Sequence, residues 1–170
     1  MALAPPLPDG ARPAGYPARW EAYVVLADGS TMAVRPIVPG DAEGIDALHQ
    51  RLSAETIYFR FFTPLPKLSP KMLEHLVNVD YRERMALVGI LGDEIIGVAR
   101  YERLPTPAPD GGSQAEVAFL VDDAHQGRGI GSMLLEHLAA AAEDAGISRF
   151  VADTLPDNQR MLRVFHDAGF

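Results

Sequence analysis

The sequence predicts an α/β domain, a mixed and mostly antiparallel sheet flanked by helices. Three observations carry this. Apolar and β-branched runs bounded by turn residues recur at 20–26, 31–35, 85–91, 95–101, 115–121 and 149–152. Stretches with helical spacing separate the second run from the third and lie on both sides of the last. A Gly-rich loop, Gln126-Gly-Arg-Gly-Ile-Gly131, joins the fifth run to a helix. The resulting order is strand, two or three helices, three strands, helix, strand, helix.

The elements follow one another as local chemistry dictates. Residues 1–19 are rich in Pro, Ala and Gly and offer few large apolar groups, so they read as a mobile leader ahead of a domain over 20–170. Asp28-Gly29 turns the first strand back on the second. Asp41 reads as the N-cap of a helix with Ile45, Leu48 and Leu52 on one face. Ser53 caps the next, which carries Ile57, Tyr58 and Phe61; most of the aromatic run Tyr58, Phe59, Phe61 and Phe62 is expected in the core, with one or two left to line a groove. Ser69-Pro70 is a cap with Pro at the first helical position. Gly92-Asp93 turns the third strand into the fourth, and 104–113 is a Pro/Gly-rich loop. A helix runs from about Gly131 to Ala145 and stops at Gly146, and a last helix spans Asn158 to Ala168 with Gly169 as its C-cap.

Bulk composition narrows the function classes. The chain has 170 residues, 48% of them hydrophobic and 22% charged, enough for one ordinary core. It has no Cys, and its five His show no ligand spacing, so no metal site is expected. A net charge of −8 argues against sequence-independent nucleic-acid binding. No apolar run reaches the roughly 20 residues of a membrane span, and no signal-peptide pattern opens the chain, so the expected location is the cytoplasm.

The chemistry concentrates at 116–135. Glycines let backbone N–H groups close on an anion, and the helix behind them adds free N–H groups and the positive end of its dipole. A pyrophosphate fits such a loop at Gln126, Gly127, Arg128, Gly129, Ile130, Gly131 and Ser132, with Arg128 adding charge at the rim. Three phosphate-loop patterns compete. A Walker A loop needs a Lys that is absent before Ser132. The dinucleotide pattern counted from Gly127 ends on Ser132 instead of Gly, although Asp153 stands about where a ribose-binding acid would sit. The pattern Gln/Arg-x-x-Gly-x-Gly/Ala matches at Gln126, Gly129 and Gly131.

On this last pattern the segment resembles the acyl-CoA motif of the GNAT superfamily of N-acetyltransferases. The element order, the Arg35-Pro36-Ile37…Asp41 stretch and the Asn158…Gly169-Phe170 stretch are similar to that family as well. Within it, Leu52-Ser-Ala-Glu-Thr-Ile-Tyr58-Phe-Arg60-Phe-Phe62-Thr-Pro64 and Ala115-Glu116-Val117-Ala118 resemble bacterial protein lysine acetyltransferases joined to an acyl-CoA-synthetase-like domain.

The resemblance implies acetyl-CoA as co-substrate and a sheet splayed at the strand that carries Glu116. Backbone groups of the Phe119-Leu120-Val121 block would hold the pantetheine arm there, with a backbone N–H near Phe119 polarising the thioester. Asn158 would bond the pantetheine or simply cap its helix. Glu116 is the expected general base, in a mid-sheet strand where burial would raise its pKa toward the working pH; the competing reading is a structural carboxylate paired with an Arg such as Arg100. Many relatives carry a Tyr as general acid where this chain has Phe165, which leaves water or His166 to protonate the thiolate. Asp122-Asp123 reads as a solvated turn and His125 as exposed loop, while Glu55 and Arg60 are candidates for the acceptor side.

The expected acceptor is a protein lysine, with an acyl-CoA synthetase as a possible partner. A small amine, an N-terminal amine, and a non-catalytic acyl-CoA-sensing module are the alternatives. Because the family fold continues into further strands after Gly-Phe, the chain is also expected to be a fragment with C-terminal strands missing.

Overall fold

The computed structural model describes residues 7–8, 12–156 and 158–167. One six-stranded sheet runs in the order β1-β2-β3-β4-β5-β6, formed by Ala22–Val25, Thr31–Pro36, Arg84–Leu91, Glu94–Arg103, Ser113–Val121 and Ile147–Val151. The first five strands pair antiparallel, and β6 lies parallel to β5. A parallel neighbour needs a crossover, and the helix α4, Ile130–Asp144, supplies it.

Helices cover both faces. On one, Leu134, Leu135 and Leu138 of α4 are fully buried against Met85, Leu87, Ile96 and Val117. On the other, α1 (Ala42–Arg51), α2 (Ala54–Phe61) and α3 (Pro70–Val77) pack Ile45, Leu48, Ile57 and Val77 over Ala86, Val88 and Val98. A fifth helix, α5 (Gln159–Asp167), closes the described chain. Burying each large aliphatic side chain stabilises the fold by about 1.5–3 kcal/mol, so these two layers hold the sheet rigid beneath the site.

The Ser caps are as expected. Ser53 Oγ accepts from Thr56 N–H and Ser69 Oγ from Met72 N–H, each at 3.1 Å. Asp41 differs. Its carboxylate makes no cap bond to α1. It is buried instead, accepting two bonds from Arg35 at 2.7 and 2.8 Å and one from Val38 N–H at 2.8 Å. A buried guanidinium needs a bidentate partner more than a helix end open to water needs a cap.

The aromatic run also departs from expectation. Tyr58 and Phe62 are 45% and 43% exposed, and of the four aromatics only Phe61 packs against the core. Phe62 adopts the left-handed conformation (φ +59°), which ends α2 just before Thr63-Pro64. The segment from Arg12 to Trp20 lies on the domain: Arg12 pairs with Glu21 at 3.2 Å, Tyr16 meets Tyr81 edge-on, and Arg19 reaches Asp144 at 2.7 Å. The Gly169-Phe170 motif lies outside the described residues.

Candidate active site

The site is built where β5 and β6 part. Their pairing ends at Glu116↔Val151, so among the described residues Val117 to Val121 run on without a strand partner on that side. Backbone alternation settles which groups face the gap. Asp122 N–H donates to Ile96 O of β4 at 2.8 Å, so Leu120 also turns its main chain to β4, while Phe119 and Val121 present theirs to the opening. A cleft of about 810 Å³ fills this opening, lined by Phe119, Leu120, Val121, Gln126, Gly127, Gly129, Ile130, Gly131, Ser132 and Asn158 among others. Ten of the twelve sequence-predicted site residues therefore share one cavity; Arg128 and Glu116 do not line it.

The loop has the shape its glycines imply. Gly127 and Gly129 hold φ of +82° and +81°, and a Cβ on either would meet nothing within 4 Å, so the space above them is open. Gly131 answers a different need: a Cβ there would stand 3.1 Å from the Phe119 ring, so any larger residue at that turn would have to push the ring aside. The α4 ladder starts with Met133 N–H donating to Gly129 O at 3.1 Å. The N–H groups of Ile130, Gly131 and Ser132 thus lack intrahelical acceptors, and the helix dipole adds positive potential beside them. An open glycine cradle with free N–H donors fits a pyrophosphate.

Three polar expectations need correction. Arg128 does not sit at the cleft rim: it pairs with Asp28 of the β1–β2 turn and bonds Ser30 Oγ at 2.8 Å and His125 Nδ1 at 2.7 Å. His125 is accordingly half-buried. Asp122-Asp123 is no solvated turn. Asp122 is 5% exposed and accepts from Arg51 Nε at 2.8 Å. Burial pushes its carboxyl up, but the bonds from Arg51 and from Ala124 N–H outweigh this and hold its pKa below the ordinary carboxylate value. Asp123 accepts from Ser53 N–H at 2.6 Å, Thr56 Oγ1 at 2.5 Å and Gln126 Nε2 at 3.1 Å, which fastens the start of α2 to the loop. Gln126 Nε2 also donates to Val121 O at 3.2 Å.

Glu116 is exposed, contrary to the burial expected of it. The helices α1 to α3 cover β5 at Ala118 and Leu120 and leave Glu116 open at the apex of the split. It forms no ion pair with Arg100; its charge acts on Arg60, which lines the cleft beside Phe59. Burial lowers the Arg60 pKa and Glu116 opposes this. Arg100 is pushed down to about 9 by burial and by the charges of Arg60 and Arg84, and it donates to Leu76 O at 3.1 Å.

The last helix supplies the far wall. Asn158 is buried and its Oδ1 accepts from Met161 N–H at 3.2 Å, the geometry of an N-cap. Phe165 stacks edge-on against Phe119 with centroids 5.5 Å apart, and His166 is exposed and does not line the cleft. Arg160 and Arg163 do line it, and sequence reasoning missed both. Their spacing of three after a helix cap could have placed them on one face with Asn158's end of the cleft.

Comparison with known proteins agrees with this geometry. The model of the acetyltransferase (GNAT) family matches residues 50–170. The chain is 38% identical over 149 residues to Acetyltransferase Pat of Mycolicibacterium smegmatis, a match that covers 86% of this chain and 43% of that protein. The crystal structure of the GNAT domain of S. lividans PAT superposes with a TM-score of 0.85 at 49% identity, covering 91% of this chain and 89% of that one. A cAMP-binding acyltransferase from Mycobacterium smegmatis superposes at 0.60 and 33% identity, over 89% of this chain and 44% of that one. The chain spans under half the length of both mycobacterial proteins. The strand order, the split beside β5 and a family model spanning more than half of the sequence converge: the chain belongs to the GNAT family of acetyltransferases, which draw their acyl group from acyl-CoA.

Proposed function

We propose that the domain transfers an acetyl group from acetyl-CoA to a primary amine, a lysine side chain of a protein, by direct attack with Glu116 as general base. One observation carries the reading: an exposed carboxylate stands at the last β5–β6 pair, three residues along the strand from Phe119, whose backbone faces the opening. The amine nitrogen bonds the thioester carbonyl carbon as its proton passes to Glu116, directly or through water. The Phe119 N–H stabilises charge developing on the carbonyl oxygen. The C–S bond then breaks, and the thiolate takes its proton from water, since Phe165 has none to give.

A protein acceptor is supported by the resemblance of the 52–64 and 115–118 segments to lysine acetyltransferases and by the exposed Tyr58 and Phe62 on α2, the helix that brings Phe59 and Arg60 to the cleft. Aromatic side chains of this kind are enriched where proteins meet. An acyl-CoA synthetase is the acceptor to try first. The test is acetyl-CoA turnover over a panel of lysine proteins and small amines, with wild type beside Glu116→Gln. The expected result is a turnover lower by about 10² to 10⁴ in the variant with acetyl-CoA affinity kept. Equal rates across pH would remove Glu116 from the chemistry, and turnover confined to small amines would replace the acceptor.

A further inference from the structure

We propose that Arg160 and Arg163 on α5 bind the 3′-phosphate at the nucleotide end of CoA and so make the domain discriminate CoA from dephospho-CoA. This rests on the reading of the cleft as an acyl-CoA site.

CoA presents two unlike anions. The pyrophosphate spreads its charge over a bridged diester that backbone N–H groups can hold. The 3′-phosphate is a monoester with about −1.5 to −2 charge at neutral pH, as in a phosphorylated side chain, and calls for full cations. The loop supplies N–H groups and a helix end but no side-chain cation, because Arg128 is drawn off to Asp28, Ser30 and His125. The arginines that line the cleft are Arg60, Arg160 and Arg163. Arg60 stands at the other end, beside Phe59 and within the field of Glu116.

Arg160 and Arg163 remain. They lie three apart on α5, hence on neighbouring positions of one helix face. Among the described residues neither has a carboxylate partner, and Arg160 bonds only the neutral amide oxygen of Gln126, the first residue of the loop. That contact puts Arg160 next to the phosphate loop across the mouth of the cleft. The one carboxylate of the loop that faces the cleft, Asp123, is taken up by Ser53, Thr56 and Gln126. Two adjacent arginines without a carboxylate partner repel each other on a helix, and the pair is a local cluster of positive charge in a chain of net charge −8. A dianion between them removes the repulsion.

The experiment is calorimetric binding of CoA and of 3′-dephospho-CoA to wild type, Arg160→Gln/Arg163→Gln and Arg160→Lys/Arg163→Lys. Wild type is expected to bind CoA at least about tenfold more tightly, the Gln pair to bind both ligands alike at the dephospho-CoA affinity of wild type, and the Lys pair to keep a preference. The salt dependence of CoA binding should flatten in the Gln pair, since fewer charges are neutralised. A preference that survives in the Gln pair overturns the proposal. So does an equal loss of both ligands, which would assign the arginines to the pyrophosphate. Wild type binding both ligands equally also overturns it and leaves the acyl-CoA site standing; wild type binding neither removes that site and the proposal with it.

Discussion

Gly129 stands directly before α4 at φ +81°, with open space where a side chain would go. The Cβ of Gly129→Glu therefore meets nothing within 4 Å, and its backbone strain is that of one left-handed residue, about 1–2 kcal/mol. Its carboxylate would project over the N–H groups that a pyrophosphate needs. CoA affinity should fall by about 100-fold or more while the melting transition stays cooperative; calorimetry beside a thermal melt reads both, and an unchanged affinity would take the loop out of the site. Phe165→Tyr tests the leaving group. The ring is held against Phe119, so a hydroxyl adds little distortion, and turnover should change by less than about threefold if water protonates the thiolate. A large gain in steady-state rate would show that proton delivery limits the reaction. At this scale residue type was legible and environment was not. Gly127 and Gly129 follow from a short pattern because their positive φ dictates glycine, and Gln126 follows from the same pattern through its side-chain bonds to Val121 O and Asp123. The exposure of Glu116 does not, because it depends on where α1 to α3 stop covering β5. The diversion of Arg128 depends on Asp28, a hundred residues away in the chain.

Elements were legible wherever a cap or turn is a local event, as at Ser53, Ser69-Pro70 and Asp28-Gly29. They failed where a side chain serves a distant partner. Asp41 has the sequence context of a helix cap, yet it closes a buried ion pair with Arg35 and pins the end of β2 to the start of α1. Removing one member of a buried pair leaves the other charge uncompensated, so Asp41→Ala should lower stability by about 3–5 kcal/mol. Urea unfolding of the pure domain measures this, and a loss below 1 kcal/mol would mean that water reaches Arg35. The Asp123 link from α2 to the loop was equally hidden, since its partners Ser53 and Thr56 lie some seventy residues earlier. It ties the helix carrying Phe59 and Arg60 to the Gly-rich loop, so these two walls of the cleft form one connected unit.

For the whole molecule, the order of elements along the chain and a mixed sheet flanked by helices were readable from periodicity and turn residues, because apolar runs such as 85–91 and 95–101 are long and bounded by local turn signals. The split beside β5 was reached only through family resemblance, as pairing that ends at Glu116↔Val151 leaves no mark on hydrophobic spacing. One global property follows from the charges. On exposed Asp80 the backbone N–H bonds from Arg84, Arg82 and Glu83 outweigh partial desolvation and hold the carboxyl below its usual range, and on buried Asp122 the bonds from Arg51 and Ala124 do the same. A carboxylate whose folded pKa lies below its unfolded value of about 3.9 contributes stability that is fully present above that value and is lost as pH falls through the folded pKa. The unfolding free energy should therefore hold a plateau above about pH 5 with respect to these two groups and decline from about pH 4 downward. Asp122→Asn removes one titrating group, so its curve should start lower at pH 7 and fall less steeply below pH 4. The Arg51 link joins the end of α1 to the residue that leads from β5 into the Gly-rich loop, so, with that loop as the proposed CoA site, acid should loosen CoA binding in parallel with this loss. Equal acid slopes for wild type and Asp122→Asn would show that the Asp122 carboxyl titrates alike in the folded and unfolded chain.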